Sequence, residues 1–319
     1  MQIEIIKNRS DIGAGTRGSD MGIDAIEIAA INKHNPYFTR YPYVDVKTHN
    51  ETVYNKSEFQ VAHRINYVNE QCKRVSDAVK ISLKANHFPI VLSGDHSSAL
   101  GTLSGISAAY PDKTIGAIWI DAHADLHTPY TSPSGNVHGM PMAAALGEDN
   151  LESRVNDVSE ELADLWIKMK NIGTNDAKLK AEHLVYFGLR DTEVQEDELI
   201  ERLNIREYPV HEMRYRSFET CLNEARERLK DCDYIYVSFD VDSMDCDLIS
   251  TGTGTPVSKG FDVDEVLEII KSFFDTQKVV CFEICEVNPL LDTRGNRMAE
   301  TAFEVLEEIT NYQENLVKA

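Results

Sequence analysis

Two short segments of the sequence carry acidic and histidine residues at every second position. They read Asp121-Ala122-His123-Ala124-Asp125 and Asp240-Val241-Asp242. Residues two apart point to the same side of an extended chain, so each segment presents its side chains to one place if the strand end stays extended. Carboxylate oxygens with imidazole nitrogens suit Mn(II), and also Co, Ni, Fe(II) or Zn. Neither segment supplies a thiolate, which argues against a structural zinc site.

Three further residues stand in segments that could join such a site. His96 lies in Gly94-Asp95-His96-Ser97, where Asp95 or Ser97 can cap a following helix and leave the histidine free. Glu286 ends Glu283-Ile284-Cys285-Glu286, and a salt-bridged strand end is the alternative role for it. His138 is flanked by small residues, which suits proton transfer as well as a purely structural role.

Six ligands brought to one place would be costly without cations between them, so we predict a site for two divalent ions. The six predicted ligands are His96, Asp121, His123, Asp125, Asp240 and Asp242. Water between two such ions loses a proton near neutral pH and can attack an electrophilic carbon. In this hypothesis Asp125 or a nearby acid orients the nucleophile, and a protonated group such as His138 delivers a proton to the departing amine. Glu286 would hold a planar guanidinium through paired hydrogen bonds.

Each of the four motifs follows an apolar run with the length and residue types of a buried strand. These runs are 89–92, 115–120, 234–237 and 278–282. Ligands gather beyond the carboxyl ends of the strands in an open parallel sheet, which would bring the motifs together. Apolar runs alternate with helical patterns along the chain, so we predict an α/β fold with a mainly parallel sheet and helices on both faces.

The remaining pattern predicts one domain over 1–319, with loop insertions near 33–57 and 147–180. Further strands are predicted at 2–6 and 184–189. Helices are predicted at 20–31, 58–85, 97–110, 136–146, 159–169, 219–230, 262–274 and 298–312. Neither insertion has the composition of a linker between domains.

The composition limits the partners of the chain. Its 319 residues carry a formal net charge of −21, from 53 acidic and 32 basic residues, which disfavours nucleic acid and anionic membranes. Such a surface favours cations, including guanidinium and amine substrates, although solubility alone explains most of the charge. Six cysteines without a regular framework predict reduced thiols, and no run approaches the length of a membrane span. We therefore expect a soluble, cytoplasmic protein.

The motifs resemble those of the ureohydrolase family, which includes arginase, agmatinase, guanidinobutyrase and formiminoglutamase. The matching segments are 94–97, 121–125, 134–141, 238–242, 252–256 and 286–289. The resemblance implies a three-layer α/β/α fold, two Mn(II) ions, and trimers or hexamers. It implies one ion held by His96, Asp121, Asp125 and Asp240, and another held by Asp121, His123, Asp240 and Asp242. It also implies a proton shuttle at His138 and a guanidinium-binding acid at Glu286.

Arginase is the member that the chain resembles most. The stretch 131–136 is similar to the arginase loop around the substrate's α-carboxylate, and Ser132, Ser134 and Asn136 supply hydroxyl and amide donors for it. His127 and Glu193 depart from the asparagine and aspartate usual in arginases, at the positions concerned with the α-carboxylate and the α-amine. The stretch 244–248 also lacks the usual proline.

The leading hypothesis is therefore a manganese-dependent arginase that converts L-arginine to L-ornithine and urea. A second hypothesis keeps the site and changes the substrate to formiminoglutamate, agmatine or another guanidino compound. A third is a metal-binding protein without catalysis, and the presence of the predicted ligands together with His138 and Glu286 disfavours it.

Overall fold

One parallel sheet runs through residues 2–318, which are the residues that the computed structural model describes. In chain order its strands are β1 (Gln2–Asn8), β2 (Tyr43–Asp45), β3 (His87–Ser93), β4 (Ile115–Ile120), β5 (Leu184–Phe187), β6 (Arg206–Tyr208), β7 (Tyr234–Asp240) and β8 (Val279–Cys285). Across the sheet the order is β2-β1-β3-β8-β7-β4-β5-β6, and every neighbouring pair is parallel.

The helices cover both faces of this sheet. They are α1 (Gly22–Asn32), α2 (Tyr37–Arg40), α3 (Ile65–Lys84), α4 (Ser98–Ala109), α5 (Pro141–Leu146), α6 (Glu160–Lys170), α7 (Val194–Leu203), α8 (Val210–Arg216), α9 (Phe218–Arg228), α10 (Val263–Phe274) and α11 (Arg297–Lys318). Apolar residues of α1, α8, α9, α10 and α11 share one core, whereas those of α3 to α7 share the other.

Alternation along the strands supplies each core with side chains from the sheet. In β3, Ile90 and Leu92 join the first core and Val91 joins the second. In β4, Ile118 belongs to the first core and Trp119 to the second. Successive side chains of a strand point to opposite faces, so fully apolar strands fill both layers. The predicted three-layer α/β/α fold is therefore confirmed.

The central strands bring the four motifs to one edge of the sheet. β3, β8, β7 and β4 are neighbours, and each motif lies at or just after the carboxyl end of one of them. The chain leaves β3 and returns in β4, with the two strands β8 and β7 between them in the sheet. A crevice opens at the carboxyl ends where neighbouring connections diverge, and such a crevice is where parallel sheets bind ligands.

Two predicted helices differ from the observed ones. The helix predicted from residue 58 begins at Ile65, because Arg64 has a left-handed backbone with φ 56° and interrupts the helical turn. The helix predicted at 136–146 divides into a 3₁₀ turn at Val137–Gly139 and the short helix α5. Pro141 is the first residue of α5, and the residue before a proline is pushed away from helical geometry.

The two predicted insertions contain regular structure. Segment 33–57 includes α2 and the edge strand β2, whose Tyr43 pairs with Ile5 of β1. Segment 147–180 contains α6, close to the helix predicted there. That the whole chain forms one domain stays a prediction.

The expectations about cysteines and membrane spans concern the described residues as well. All six cysteines are unpaired, and Cys281 and Cys285 lie buried in β8. Within residues 2–318, no helix is both long and apolar enough to cross a membrane.

Candidate active site

A cavity of about 280 Å³ lies at the carboxyl ends of the central strands. It is lined by the six predicted metal ligands, which include the predicted catalytic residue Asp125. The other two predicted catalytic residues, His138 and Glu286, and the five predicted substrate-binding residues line it as well. In full, its lining is His96, Asp121, His123, Asp125, His127, Ser132, Pro133, Ser134, Asn136, His138, Gly139, Asp191, Glu193, Glu196, Asp240, Asp242, Thr255 and Glu286. The structure thus brings together all of the predicted metal-binding, catalytic and substrate-binding residues.

One group of side chains converges on the imidazole of His96. Its Nδ1 lies 2.9 Å from Oδ2 of Asp121, 3.0 Å from Oδ2 of Asp125 and 3.2 Å from Oδ2 of Asp240. His96 follows β3, the two aspartates Asp121 and Asp125 follow β4, and Asp240 ends β7. Three strand ends therefore supply one cluster of carboxylate oxygens around one ring nitrogen.

A second group converges on His123 and shares Asp121 with the first. Nδ1 of His123 lies 3.0 Å from Oδ2 of Asp242 and 3.5 Å from Oδ1 of Asp121. Asp240 turns Oδ2 toward His96, while its Oδ1 accepts the backbone N–H of Asp242 at 2.8 Å. Asp121 thus lies between both groups.

Three buried nitrogen and oxygen atoms of the first group have no hydrogen-bond partner in the protein. Among the described residues, Nδ1 of His96 and the Oδ2 atoms of Asp121 and Asp125 are buried without a partner in hydrogen-bonding geometry. Unpaired buried polar atoms are rare and call for an explanation such as an ion. Imidazole nitrogen and carboxylate oxygen are ligands for divalent first-row metals. The residues therefore fit the metal centre that the motifs predict.

The pKa values show how unfavourable this cluster is without a cation. Burial raises the pKa of Asp125 to about 6, with a further contribution from the charge of Asp121. Burial and the charges of Asp242 and Asp121 raise the pKa of Asp240 well above its usual range. Burial and the charge of Asp121 also raise the pKa of Asp242. Positive charge at this point would remove the repulsion that raises these pKa values.

The motifs converge by a route that differs from the predicted one. Extended strand ends were expected to turn alternate side chains to one side, and this expectation is wrong. β4 ends at Ile120, and Asp125 has a left-handed backbone with φ 52°. After Asp240 the chain enters a 3₁₀ turn over Val241–Ser243. Left-handed backbone is strained for a residue other than glycine and clusters at functional sites.

Two residues that the sequence did not single out hold the His96 ring in place. Nε2 of His96 lies 2.8 Å from Oγ of Ser238, and the ring stacks on Trp119 with centroids 4.0 Å apart. The hydroxyl takes up Nε2 and leaves Nδ1 facing the aspartates. A metal-binding histidine commonly uses its second nitrogen in this way. Ser238 stands two residues before Asp240, which is the only sign of this role in the sequence.

Glu286 links His138 to His96 and so to the cluster of candidate metal ligands. Its Oε1 accepts the backbone N–H of His96 at 2.9 Å and lies 3.0 Å from Nδ1 of His138. Oγ of Ser19, from the segment between β1 and α1, donates to Oε2 at 3.4 Å. Burial alone would lower the pKa of His138, but the hydrogen bond to Glu286 raises it to about 9. Glu286 is itself buried and has a φ of 65°.

The other end of the cavity is built from a loop and from the start of α7. His127 Nε2 lies 3.0 Å from Oε2 of Glu193 and 3.7 Å from Oε2 of Glu196. The hydrogen bond from His127 lowers the pKa of Glu193 to about 2. Burial raises the pKa of Glu196 well above its usual range, which favours a neutral carboxyl beside the charged one. Glu196 was not among the predicted site residues, although its position three residues after Glu193 at a helix start signals a capping pair.

Comparison with known proteins decides the family. The model of the Arginase family matches residues 2–311. The chain belongs to the arginase family. It is 32% identical over 309 residues to the arginase of Bacillus subtilis (strain 168), an alignment that covers 96% of this chain and 97% of that one. The crystal structure of arginase from the same strain aligns with a TM-score of 0.82 at 31% identity, over 97% of this chain and 98% of the other.

A third comparison extends the fold beyond the arginases. The structure of formimidoylglutamase from Bacillus subtilis aligns with a TM-score of 0.73 over 98% of this chain and 87% of that chain, but at 18% identity it shows a shared fold alone. The predicted family is thus confirmed, and the protein is a hydrolase of the ureohydrolase type that carries out arginase-type hydrolysis of a guanidino group.

Proposed function

We propose that the protein is a two-manganese arginase that hydrolyses L-arginine to L-ornithine and urea. The observation that carries the proposal is the convergence of four aspartates and two histidines, with donor atoms left unpartnered, in a chain of the arginase family. A protein that only stored metal would have no need of the His138–Glu286 pair beside the cluster.

The six proposed metal ligands divide into two overlapping sets. His96, Asp121, Asp125 and Asp240 would hold one ion, and Asp121, His123, Asp240 and Asp242 the other. When bound, such a pair of divalent ions supplies Lewis-acid stabilisation of anionic oxygen and lowers the pKa of water. Ser238 and Trp119 keep the His96 ring oriented toward its aspartates.

The remaining residues would bind the guanidinium and move a proton. Glu286 carries a buried carboxylate at the inner end of the cavity, where a planar guanidinium can donate to it. Its bond to Nδ1 of His138 leaves Nε2 as the ring atom available to deliver a proton to the departing amine. The raised pKa of His138 keeps that ring protonated at neutral pH.

Neutral donors would meet the α-carboxylate of arginine. Oγ of Ser132 accepts the backbone N–H of Gly135 at 2.9 Å, and Oγ of Ser134 accepts that of Asn136 at 3.2 Å. Each hydroxyl oxygen is thus held by the backbone while its hydrogen stays available for a substrate. The amide of Asn136 supplies further N–H donors.

An assay on protein loaded with manganese tests the proposal. L-arginine, agmatine and formiminoglutamate would be offered in parallel, with urea measured for the first two and formamide for the third. We expect urea and stoichiometric ornithine from arginine, two manganese ions per chain by elemental analysis, and loss of activity after chelation. Turnover of agmatine without any turnover of arginine would refute arginine as the substrate.

Assembly and compartment stay predictions. A homotrimer or homohexamer is expected, and light scattering of the purified protein would measure its mass. A cytoplasmic location is expected from the composition, and fractionation of cells would test it.

A further inference from the structure

We call the part of the cavity around His127, Glu193 and Glu196 the tail end, because it would receive the end of the substrate away from the guanidino group. Both ring nitrogens of its histidine contact other protein side chains. His127 Nδ1 lies 3.2 Å from Oγ1 of Thr131, and His127 Nε2 lies 3.0 Å from Oε2 of Glu193. The ionised carboxylate of Glu193 can only accept, so Nε2 carries the N–H of the neutral ring and Nδ1 is left to accept from the Thr131 hydroxyl. This arrangement assigns the N–H of the imidazole to Nε2, from which it is donated to Glu193.

The engaged ring has no N–H left for a substrate carboxylate. Its side chain is only 8% exposed, and doubly protonated His127 would use its second N–H on Thr131. The carboxylate of Glu193 is different, because 51% of its side chain is exposed and it lines the cavity. His127 therefore fixes the direction of Glu193, and Glu193 presents its unused lone pairs to the space beyond the guanidinium.

The charges around this space favour an ammonium over a carboxylate. None of the residues that line the described cavity is a lysine or arginine. A substrate carboxylate would meet the uncharged donors of Ser132, Ser134 and Asn136, whereas a substrate ammonium would meet the charged carboxylate of Glu193. Both sets of hydrogen bonds would be charge-assisted, but only the ammonium would also be attracted by a full opposite charge.

We propose that His127 is a positioning residue that directs Glu193, so that an ammonium four carbons from the guanidino group, and not the neighbouring carboxylate, decides which guanidino compounds are used. This inference rests on the proposed guanidino hydrolysis and sharpens its substrate class. It also disfavours formiminoglutamate, which carries two carboxylates and no free ammonium.

Three substrates of equal length separate the two recognition groups. L-arginine has both groups, agmatine lacks the carboxylate, and 5-guanidinopentanoate lacks the ammonium. With manganese-loaded protein and urea as the readout, we expect kcat/KM to fall about a hundredfold for 5-guanidinopentanoate and about tenfold or less for agmatine.

Variants of His127 test the positioning role. In His127→Leu we expect KM to rise about tenfold for arginine and agmatine with kcat nearly unchanged, and no change for 5-guanidinopentanoate. His127→Gln, whose amide N–H reaches a similar point, should restore most of the loss. Glu193→Gln should lower kcat/KM for arginine and agmatine and leave that for 5-guanidinopentanoate unchanged. Its matched control is Glu198→Gln, because Glu198 lies on α7, which Glu193 caps, and accepts from Ser153 outside the cavity. Thermal unfolding and metal content would verify that each variant is folded and loaded.

The outcomes separate this inference from the proposed function. Equal losses on all three substrates in His127→Leu would make the histidine merely structural and would overturn the inference. If the unmodified protein hydrolysed 5-guanidinopentanoate with the same kcat/KM as agmatine, the inference would also be overturned, while guanidino hydrolysis would stand. If none of the three substrates released urea, the proposed function itself would be refuted.

Discussion

The two ends of the active-site cavity are built on different supports. At the metal end, the ligands follow the central strands, and His96, Asp121 and Asp240 have side chains that are at most 3% exposed. At the tail end, a loop and the start of α7 supply His127 and Glu193, and the glutamate is half exposed. Groups on strand ends have their positions fixed by the packed cores on both faces of the sheet.

This difference separates the chemistry from the choice of substrate. A loop or a helix start tolerates new side chains more easily than the buried end of a strand does. The tail end is also where the chain departs from the usual arginase residues, at His127 and Glu193. Changes at the metal end should therefore alter metal content and kcat, whereas changes at the tail end should alter KM and substrate preference.

The largest effect is expected from Asp240→Asn at the metal end. Activity should fall by more than about a thousandfold, because the loss of stabilisation by the ions amounts to several kcal/mol. Elemental analysis should show fewer than two ions per chain, and Asp247→Asn, on the exposed loop that follows, serves as the control. Two tightly bound ions in the variant would contradict a shared ligand at this position.

The same variant should gain stability once metal is removed. Asp240 is buried beside Asp121 and Asp242, so neutralising it relieves repulsion in the chelated protein. We expect metal-free Asp240→Asn, prepared with a chelator, to unfold at a higher temperature than the metal-free unmodified protein. With manganese added, the unmodified protein should unfold at the higher temperature. The same order under both conditions would mean that the cluster does not bind metal.

Replacement of His138 should lower the rate without emptying the metal centre. Loss of a proton donor typically reduces kcat by about a hundred- to thousandfold, so His138→Asn should show that loss at nearly constant KM. Metal content should stay at the level of the unmodified protein, since His138 contacts Glu286 and not the aspartate cluster. A variant with full kcat would remove His138 from the mechanism.

Ser238→Ala tests the support of the metal end. Losing the hydroxyl that holds Nε2 of His96 should weaken manganese binding by about ten- to a hundredfold. Titration of the metal-free protein with manganese measures this change, and saturating metal should recover most of kcat. Ser82→Ala, a buried serine on α3, is the control for burial alone. Unchanged affinity would show that Trp119 alone orients the ring.

The His138–Glu286 pair should make the stability of the chelated protein depend on pH. The pKa of His138 is raised from its ordinary 6.5 to about 9, so the stabilisation is complete below pH 6.5 and is lost as the pH rises through 9. The loss should be on the order of 2 kcal/mol for this largely buried pair. Urea denaturation at several pH values measures it, and Glu286→Gln should flatten the curve between pH 6.5 and 9.

The smallest effect is expected at the tail end. Asn136→Ala removes one neutral donor to the α-carboxylate, so KM for arginine should rise about threefold to tenfold. KM for agmatine, which lacks that carboxylate, should stay the same, and kcat should change for neither. An equal rise for both substrates would assign Asn136 to the shape of the loop instead of to carboxylate binding.

Most long amphipathic helices were predictable, but α7 and the shortest elements were not. The helix predicted at 262–274 agrees closely with Val263–Phe274, because its apolar pattern and its capping pair Asp262 and Glu265 lie in one stretch. The three-residue strands β2 and β6 were missed, since so short a segment carries no periodicity and pairs only because a neighbouring strand is already in place. The start of α3 was missed because the left-handed backbone of Arg64 leaves no mark in the sequence.

The sequence by itself determined the chemical groups of the site, because residue types and their order after apolar strands identify its candidate metal ligands. Only the tertiary structure decided how those ligands meet, through the φ of 52° at Asp125 and the 3₁₀ turn after Asp240. It alone also paired Ser238 with His96 and His127 with Glu193, which are 142 and 66 residues apart. Local patterns record propensity and periodicity, whereas partners distant in sequence are set by the packing of the whole sheet.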